Sequence, residues 1–74
     1  MINELDIVAL TRPLPEFGLV AGDIGTVVMI HEAGKGYSVE FMTLNGTTVA
    51  VTTLPADDVR PIREREIANA RQVA

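Results

Sequence analysis

Few side chains in this sequence could do chemistry, and their spacing decides what that chemistry would be. His31 is the single histidine, with Glu32 beside it. A histidine titrates near neutral pH and is the natural general base. No serine, cysteine or second acid stands at a telling spacing from it, so the constellation of catalytic roles is incomplete. His31 therefore reads as an exposed or half-exposed histidine at a strand end. Asp57-Asp58 is an adjacent acid pair. Neighbouring carboxylates rarely aim at one point, and a hard cation wants roughly six or more oxygens. The pair is expected to cap the turn after Pro55. Gly22-Asp23-Ile24-Gly25 and Gly34-Lys35-Gly36 lead into strands, whereas a phosphate loop leads into a helix. They read as turn and bulge glycines. Arg60, Arg63 and Arg65 interleave with Asp57, Asp58, Glu64 and Glu66. Without stacking aromatics that pattern is a solvated, salt-bridged segment rather than a nucleic-acid contact.

Composition narrows the classes further. The chain has 74 residues, 47% of them hydrophobic and 22% charged, which is one small domain and too apolar for disorder. Cysteine is absent, which excludes a disulfide scaffold, a thiolate zinc site and a cysteine nucleophile. One histidine excludes a two-histidine metal site within a chain. The formal charge of −4 opposes a nucleic-acid module. That charge is uneven: residues 1–62 set three bases against eight acids, −5, and residues 63–74 set three arginines against two acids, +1. The segment MINELDIVAL carries acids where a secretory signal carries bases. No apolar run approaches the roughly 20 residues of a membrane span. The expectation is a cytoplasmic protein with no membrane association, no cofactor and no metal.

The elements that position these residues are mostly strands. Leu5 to Leu10 is a short apolar run centred on β-branched Ile7 and Val8. Pro13, Pro15 and Gly18 make residues 11–22 a loop. Ile24 to His31 is the next strand, with Ile24, Thr26, Val28 and Ile30 as its core-facing set. Glu32 to Gly36 is a turn. Tyr37 to Met42 alternates as a half-buried strand, with Tyr37, Val39 and Phe41 on one face. Thr47 to Leu54 follows. Asn45-Gly46 invites a two-residue hairpin, but a three-residue loop, Leu44-Asn45-Gly46, opposes Phe41 to Val49 and Val39 to Val51 and so joins the bulky apolar residues. Gly46 then takes the left-handed position of a bulged turn. Ala56-Asp57-Asp58 reads as one 3₁₀ turn, and Val59 to Ile62 as a last short strand. In the tail, Ile67, Ala70 and Ala74 share one helical face.

Five strands, a long first loop, a 3₁₀ turn before the last strand and a short C-terminal helix or frayed tail follow the order of an SH3-like barrel. The expected organisation is a mainly β, five-stranded SH3-like barrel over residues 1–62 and a tail, helical or frayed, over residues 63–74.

The blocks Leu5-Asp-Ile-Val-Ala-Leu-Thr11, Pro15-Glu-Phe-Gly-Leu19, Ala21-Gly-Asp-Ile-Gly-Thr-Val-Val28, Tyr37-Ser-Val-Glu-Phe41 and Leu54-Pro-Ala-Asp-Asp-Val-Arg60 together resemble a small bacterial family known as a domain of unknown function. The resemblance spans roughly residues 2–62 and implies a compact SH3-like protein. The Gly-Asp-Ile-Gly-Thr-Val stretch also resembles the KOW-type element of ribosomal and transcription proteins and the barrels of nitrile hydratase accessory subunits. The family implies no catalytic residues. Some of its members are encoded beside another small gene, which implies an antitoxin-like or immunity-like role toward a partner.

Two functional expectations follow. The first is a non-catalytic protein-binding module, an accessory subunit or an antitoxin-like inhibitor, and not an enzyme. Its candidate partner-binding residues are Leu14, Phe17 and Leu19 in the first loop, with Met42 and Leu54 on the face opposite the core. The expected partner is a protein, basic because the body is acidic, and encoded nearby if the family resemblance carries over. The second apolar face, with Ala50 and Met29 alongside Met42 and Leu54, would be covered by the tail through Ile67, by a second copy in a homo-oligomer, or by a foreign protein. The alternative is a KOW-like nucleic-acid-binding module.

Overall fold

The computed structural model describes residues 1–73. Its strands are β1 (Ile7–Leu10), β2 (Ile24–His31), β3 (Gly36–Met42), β4 (Thr48–Pro55) and β5 (Val59–Pro61). Single 3₁₀ turns stand at Pro15–Phe17 and Ala56–Asp58. Every pairing is antiparallel, and the sheet order is β4-β3-β2-β1-β5.

That order corrects the barrel expected from the sequence and from the family resemblance. β4 and β5 are neighbours in the chain, separated only by Ala56–Asp58, yet they lie at opposite edges of the sheet. β5 pairs with β1 and β4 pairs with β3; no ladder joins β4 to β5. The sheet is open and does not close as an SH3-like barrel. The long first loop supplies what closure would have supplied. Leu14 and Leu19 form an isolated antiparallel bridge and are 1% and 4% exposed. They join Val8, Leu10, Val27, Tyr37, Val39, Phe41, Leu54 and Val59 in one core, with Phe17 packed against it. Gly18 makes the loop possible by taking a left-handed conformation (φ 71°) after Pro15–Phe17.

Two bulges set which side chains enter that core. Between Val27↔Val39 and Met29↔Ser38 the register of β2 slips by one residue at Val28. Between Phe41↔Ala50 and Met42↔Thr48 the register of β4 slips at Val49. An extra residue on one strand reverses the parity of everything beyond it. Three expectations change as a result. The core-facing residues of β2 are Gly25 and Val27 before the bulge and, as expected, Ile30 beyond it, while Ile24 and Val28 are exposed. Phe41 opposes Ala50, and Val39 opposes Thr52, rather than Val49 and Val51. Ala50 and Leu54 lie in or against the core, and Val51 is 58% exposed. The Leu44-Asn45-Gly46 turn itself is as expected: the Thr43 N–H donates to the Thr47 carbonyl at 2.8 Å, and Gly46 has φ 93°. The bulge one step further on is what moved the register.

Gly25 shows how closely this sheet is packed. It sits opposite Val8 in β1. A Cβ there would stand 2.6 Å from Val39 Cγ1 and 2.9 Å from two Phe41 ring carbons. Only glycine lets those two side chains reach the β1–β2 pair.

Residues 63–73 form no helix. The Arg63 N–H donates to Glu66 Oε1 at 2.6 Å, and Arg65 has φ 64°, so a local turn replaces the first helical turn. Ile67 is 91% exposed and so is not packed down on the second apolar face. Ala74, the last member of the expected helical face, lies outside the described residues. Among the described residues no helix is long and apolar enough to cross a membrane.

Candidate functional site

Residues paired across a ladder share a face, so the register defines what the outer side of the sheet presents. One row runs Ile7–Thr26–Glu40–Val51 across β1, β2, β3 and β4, and Ile62 follows the last β1–β5 pair, Val8↔Pro61, next to its Ile7 end. A second row runs Arg60–Ala9–Ile24. A third runs Met29–Ser38–Thr53. Met42 follows Glu40 on the same side of β3, because Tyr37, Val39 and Phe41 point into the core. Ile7, Ile24, Met29, Met42, Val51 and Ile62 are between 42% and 58% exposed. Six large apolar side chains thus share one uncovered sheet face, with Glu40 among them. Apolar patches of this kind mark interaction surfaces more often than isolated exposed residues do.

The tail crosses one end of this face without filling it. A groove of about 590 Å³ lies between the tail and the sheet, bounded by Ile7, Ala9, Ile24, Ile62 and Ile67. Two charge pairs hold the tail there. Arg60 Nη1 and Nη2 donate to the two Glu66 carboxylate oxygens at 2.9 and 2.7 Å, a bidentate pair. With the Arg63 N–H, Arg60 pulls the Glu66 carboxyl down to about 2. Further along, Arg71 pairs with Asp23 and also donates to the Gly18 carbonyl at 3.2 Å. Burial pushes the Asp23 carboxyl up, but Arg71 and the Val20 N–H outweigh it and hold it below its ordinary value. Of the interleaved arginines, Arg60 alone forms an ion pair among the described residues, with Glu66; Arg63 reaches the same carboxylate through its backbone N–H, and the Arg71–Asp23 pair lies outside the interleaved stretch.

The acid pair behaves differently from its expected role. Neither Asp57 nor Asp58 caps the 3₁₀ turn through its side chain. Asp58 is 8% exposed, and its Oδ2 lies 2.8 Å from Arg12 Nη2. Thr11 reinforces this link: its hydroxyl donates to the Asp57 carbonyl at 2.7 Å, and its N–H to the Asp58 carbonyl at 2.8 Å. The start of the first loop is thereby tied to the turn before β5. No regular spacing joins positions 12 and 58, so the sequence carried no signal for this pair.

Position 31 also holds more than the sequence revealed. His31 Nε2 and Ser38 Oγ are 2.7 Å apart, and Ser38 Oγ and Thr53 Oγ1 are 3.0 Å apart. The hydrogen-bonded chain steps across β2, β3 and β4 on the outer face. It brings a hydroxyl to the histidine, the first half of a nucleophile–base arrangement. Among the described residues no carboxylate orients the far side of the ring. The contact is local to an open sheet face, and what it does geometrically is tie three strands together beside Met29. The turn at residues 32–35 brings β3 back antiparallel to β2 and so seats Ser38 beside His31, a relation the seven-residue separation alone does not signal.

The five residues singled out as partner contacts are dispersed by the fold. Leu14, Leu19 and Leu54 are 1%, 4% and 5% exposed and belong to the core. Phe17 is partly buried against it. Met42 is 48% exposed and stands on the outer face. Ile7, Ile24, Val51 and Ile62 were not recognised as surface residues. Apolar type suggested burial; the facing set of the bulged strand β2 leaves Ile24 outside and the β3–β4 bulge turns Val51 outward, while Ile7 lies outside in an unbroken ladder.

Searches of curated proteins and of solved structures each return no match to this chain. The profile of a family described as a domain of unknown function (DUF4926) matches residues 4–61, which span all five strands. The chain therefore belongs to the DUF4926 family.

Proposed function

We propose that the chain is a non-catalytic protein-binding module that presents the outer face of its open sheet to a basic partner protein. One observation carries this reading: Ile7, Ile24, Met29, Met42, Val51 and Ile62 lie exposed on a single face of a domain whose other face is filled by its core. Methionine at two of these positions suits a surface that adapts to its partner. Charge supports the choice of partner. Residues 1–62 carry −5, and Glu40 stands within the apolar row, so a cationic surface gains both encounter rate and a charge contact. An accessory-subunit or antitoxin-like role in the cytoplasm accords with such a module. The His31–Ser38–Thr53 chain serves here as a polar rim to the apolar face.

The test is capture by the tagged chain at physiological salt after nuclease treatment, run with Met29→Gln, Met42→Gln and, as an off-face control, Val20→Gln. Val20 is 45% exposed but lies in the first loop. The expected result is one stoichiometric basic protein, held by wild type and the Val20 variant, weakened by both methionine variants and released as salt rises. Equal capture by all four chains would overturn the assignment of the face. Recovery of nucleic acid in place of protein would overturn the class and favour a KOW-like role.

A further inference from the structure

The two edges of the sheet are built differently. β5 is three residues long and contains Arg60 and Pro61. A short strand, a charge and a proline are the usual guards against edge-to-edge pairing. β4 has none of these three until its last residue, and its bulge at Val49 confines the regular edge to Ala50–Leu54. It reads Thr-Val-Ala-Val-Thr-Thr-Leu-Pro over Thr48–Pro55, eight residues without one charged side chain. Among the described residues its only strand neighbour is β3. Among the described residues, no backbone hydrogen bond other than those of the β3–β4 ladder reaches positions 48–54. Its side-chain hydrogen bonds also turn inward: Thr48 donates to Glu40 at 2.8 Å, and Thr53 bonds Ser38. The outward row of N–H and C=O groups is open and regular from Ala50 to Leu54, a length of about 17 Å.

We propose that this edge is an interface between two copies of the chain, β4 pairing antiparallel with β4 of a second copy across a two-fold axis to give one continuous ten-stranded sheet. The sequence of the strand favours a copy of itself as the occupant. A two-fold contact requires a self-complementary surface, and a strand with no charge opposes no like charges when it meets itself. With the axis at Val51, the 58% exposed Val51 side chains of the two copies meet on the outer face. Their rows then continue one into the other: Glu40–Val51 of one copy, Val51–Glu40 of the next. The two Glu40 carboxylates fall three strand spacings apart, roughly 14 Å, which exceeds the screening length of about 8 Å at physiological salt. Elsewhere each copy carries its charge of −4 on scattered acids, and the β4 edge is where two copies approach without opposing them. A single-strand edge covers only a small part of the 5167 Å² surface of each copy. This association goes beyond the partner-binding reading and leaves most of the outer face free.

Sedimentation equilibrium of the full chain across micromolar to millimolar concentrations tests it. The expected result is a monomer–dimer equilibrium that tightens as salt rises, since screening relieves the repulsion between two acidic bodies. Val51→Lys, a charge at an already exposed edge position, should weaken it by about tenfold or more. Ile62→Lys, at the far end of the same row, should leave it unchanged. Thr53→Lys is a second edge variant in case Val51→Lys fails to fold, and circular dichroism checks both. A chain that stays monomeric throughout overturns the proposal. So does a dimer lost with Ile62→Lys but kept with Val51→Lys, which would place the contact on the face, or a monomer whose β4 amides gain exchange protection only when a foreign protein is added.

Discussion

Replacing Gly25 by alanine would ordinarily be harmless or helpful in a strand. The residue is not in a positive-φ conformation, and removing a glycine stabilises through the unfolded chain by about 0.4–1 kcal/mol. The structure reverses that expectation. The added methyl would stand 2.6 Å from Val39 Cγ1 and 2.9 Å from two ring carbons of Phe41. Both neighbours are at most 2% exposed and have no room to move into solvent. Overpacking of this kind costs about 1–3 kcal/mol. The net effect is a loss of about 1–2 kcal/mol, a large part of what a domain this small possesses. At roughly 4–8 °C per kcal/mol for this size class, the melting temperature should fall by roughly 4–16 °C. Urea unfolding of wild type, Gly25→Ala, Val39→Ala and the double variant completes a cycle. Val39→Ala alone removes two buried methyl groups and should cost about 2 kcal/mol. Because it also vacates the position nearest the new Cβ, the double variant should be more stable than the sum of the single changes by at least about 0.5 kcal/mol. Gly25→Ala at or above wild-type stability, or strict additivity in the cycle, would refute the close approach on which the argument rests.

Other consequences can be checked independently. The register predicts opposite responses at two apolar residues of β4: Leu54→Ala should cost about 2–5 kcal/mol, while Val51→Thr should stay within about 0.5 kcal/mol, both read by urea unfolding. The Glu66 carboxyl is held down from 4.5 to about 2 by Arg60 and the Arg63 N–H. A lowered value means that its contribution to tail docking is complete above about 4.5 and is lost as pH falls toward about 2. Amide exchange of residues 63–73 should accelerate across that window, and Glu66→Gln should remove most of the dependence. Arg71→Ala should release the far end of the tail from Asp23 and Gly18, seen as faster limited proteolysis after Arg63 and Arg65, with the exchange of the core amide of Val27 unchanged.

The order of the elements was legible because each depended on local chemistry. Pro13, Pro15 and Gly18 marked the loop, Gly34 and Gly36 the turn, and Pro55 the end of β4, and the strands lie within a residue or two of their expected positions. What was not legible depended on contacts between distant segments. A bulge leaves no mark in an alternating pattern, so Val28 and Val49 shifted two registers without warning. Gly25 read as a turn or bulge glycine in the sequence, but it lies inside the β1–β2 ladder, and its missing side chain is what the core uses. The tail has the composition of a helix, but the Glu66 side chain bonds the Arg63 backbone and Arg60, and those contacts outweigh a marginal propensity. Chain order alone could not tell an open sheet from a closed one, because the difference lies in one absent ladder between neighbours in sequence.

The pairing of β1 with β5 also constrains how the protein comes into being. Leu10 pairs with Val59, and Val8 with Pro61, so the outer edge of the first strand waits for nearly the last one. Synthesis at about 5–20 residues per second leaves an interval of roughly 2–10 s between the two. Within it β2, β3 and finally β4 emerge and can assemble in sequence by hairpins, while β1 offers an unfilled row of amides and carbonyls beside Val8 and Leu10. A nascent chain stalled before Val59 has the greater part of its sheet but an unsealed core. That intermediate, more than the finished domain, is where aggregation or chaperone capture should occur.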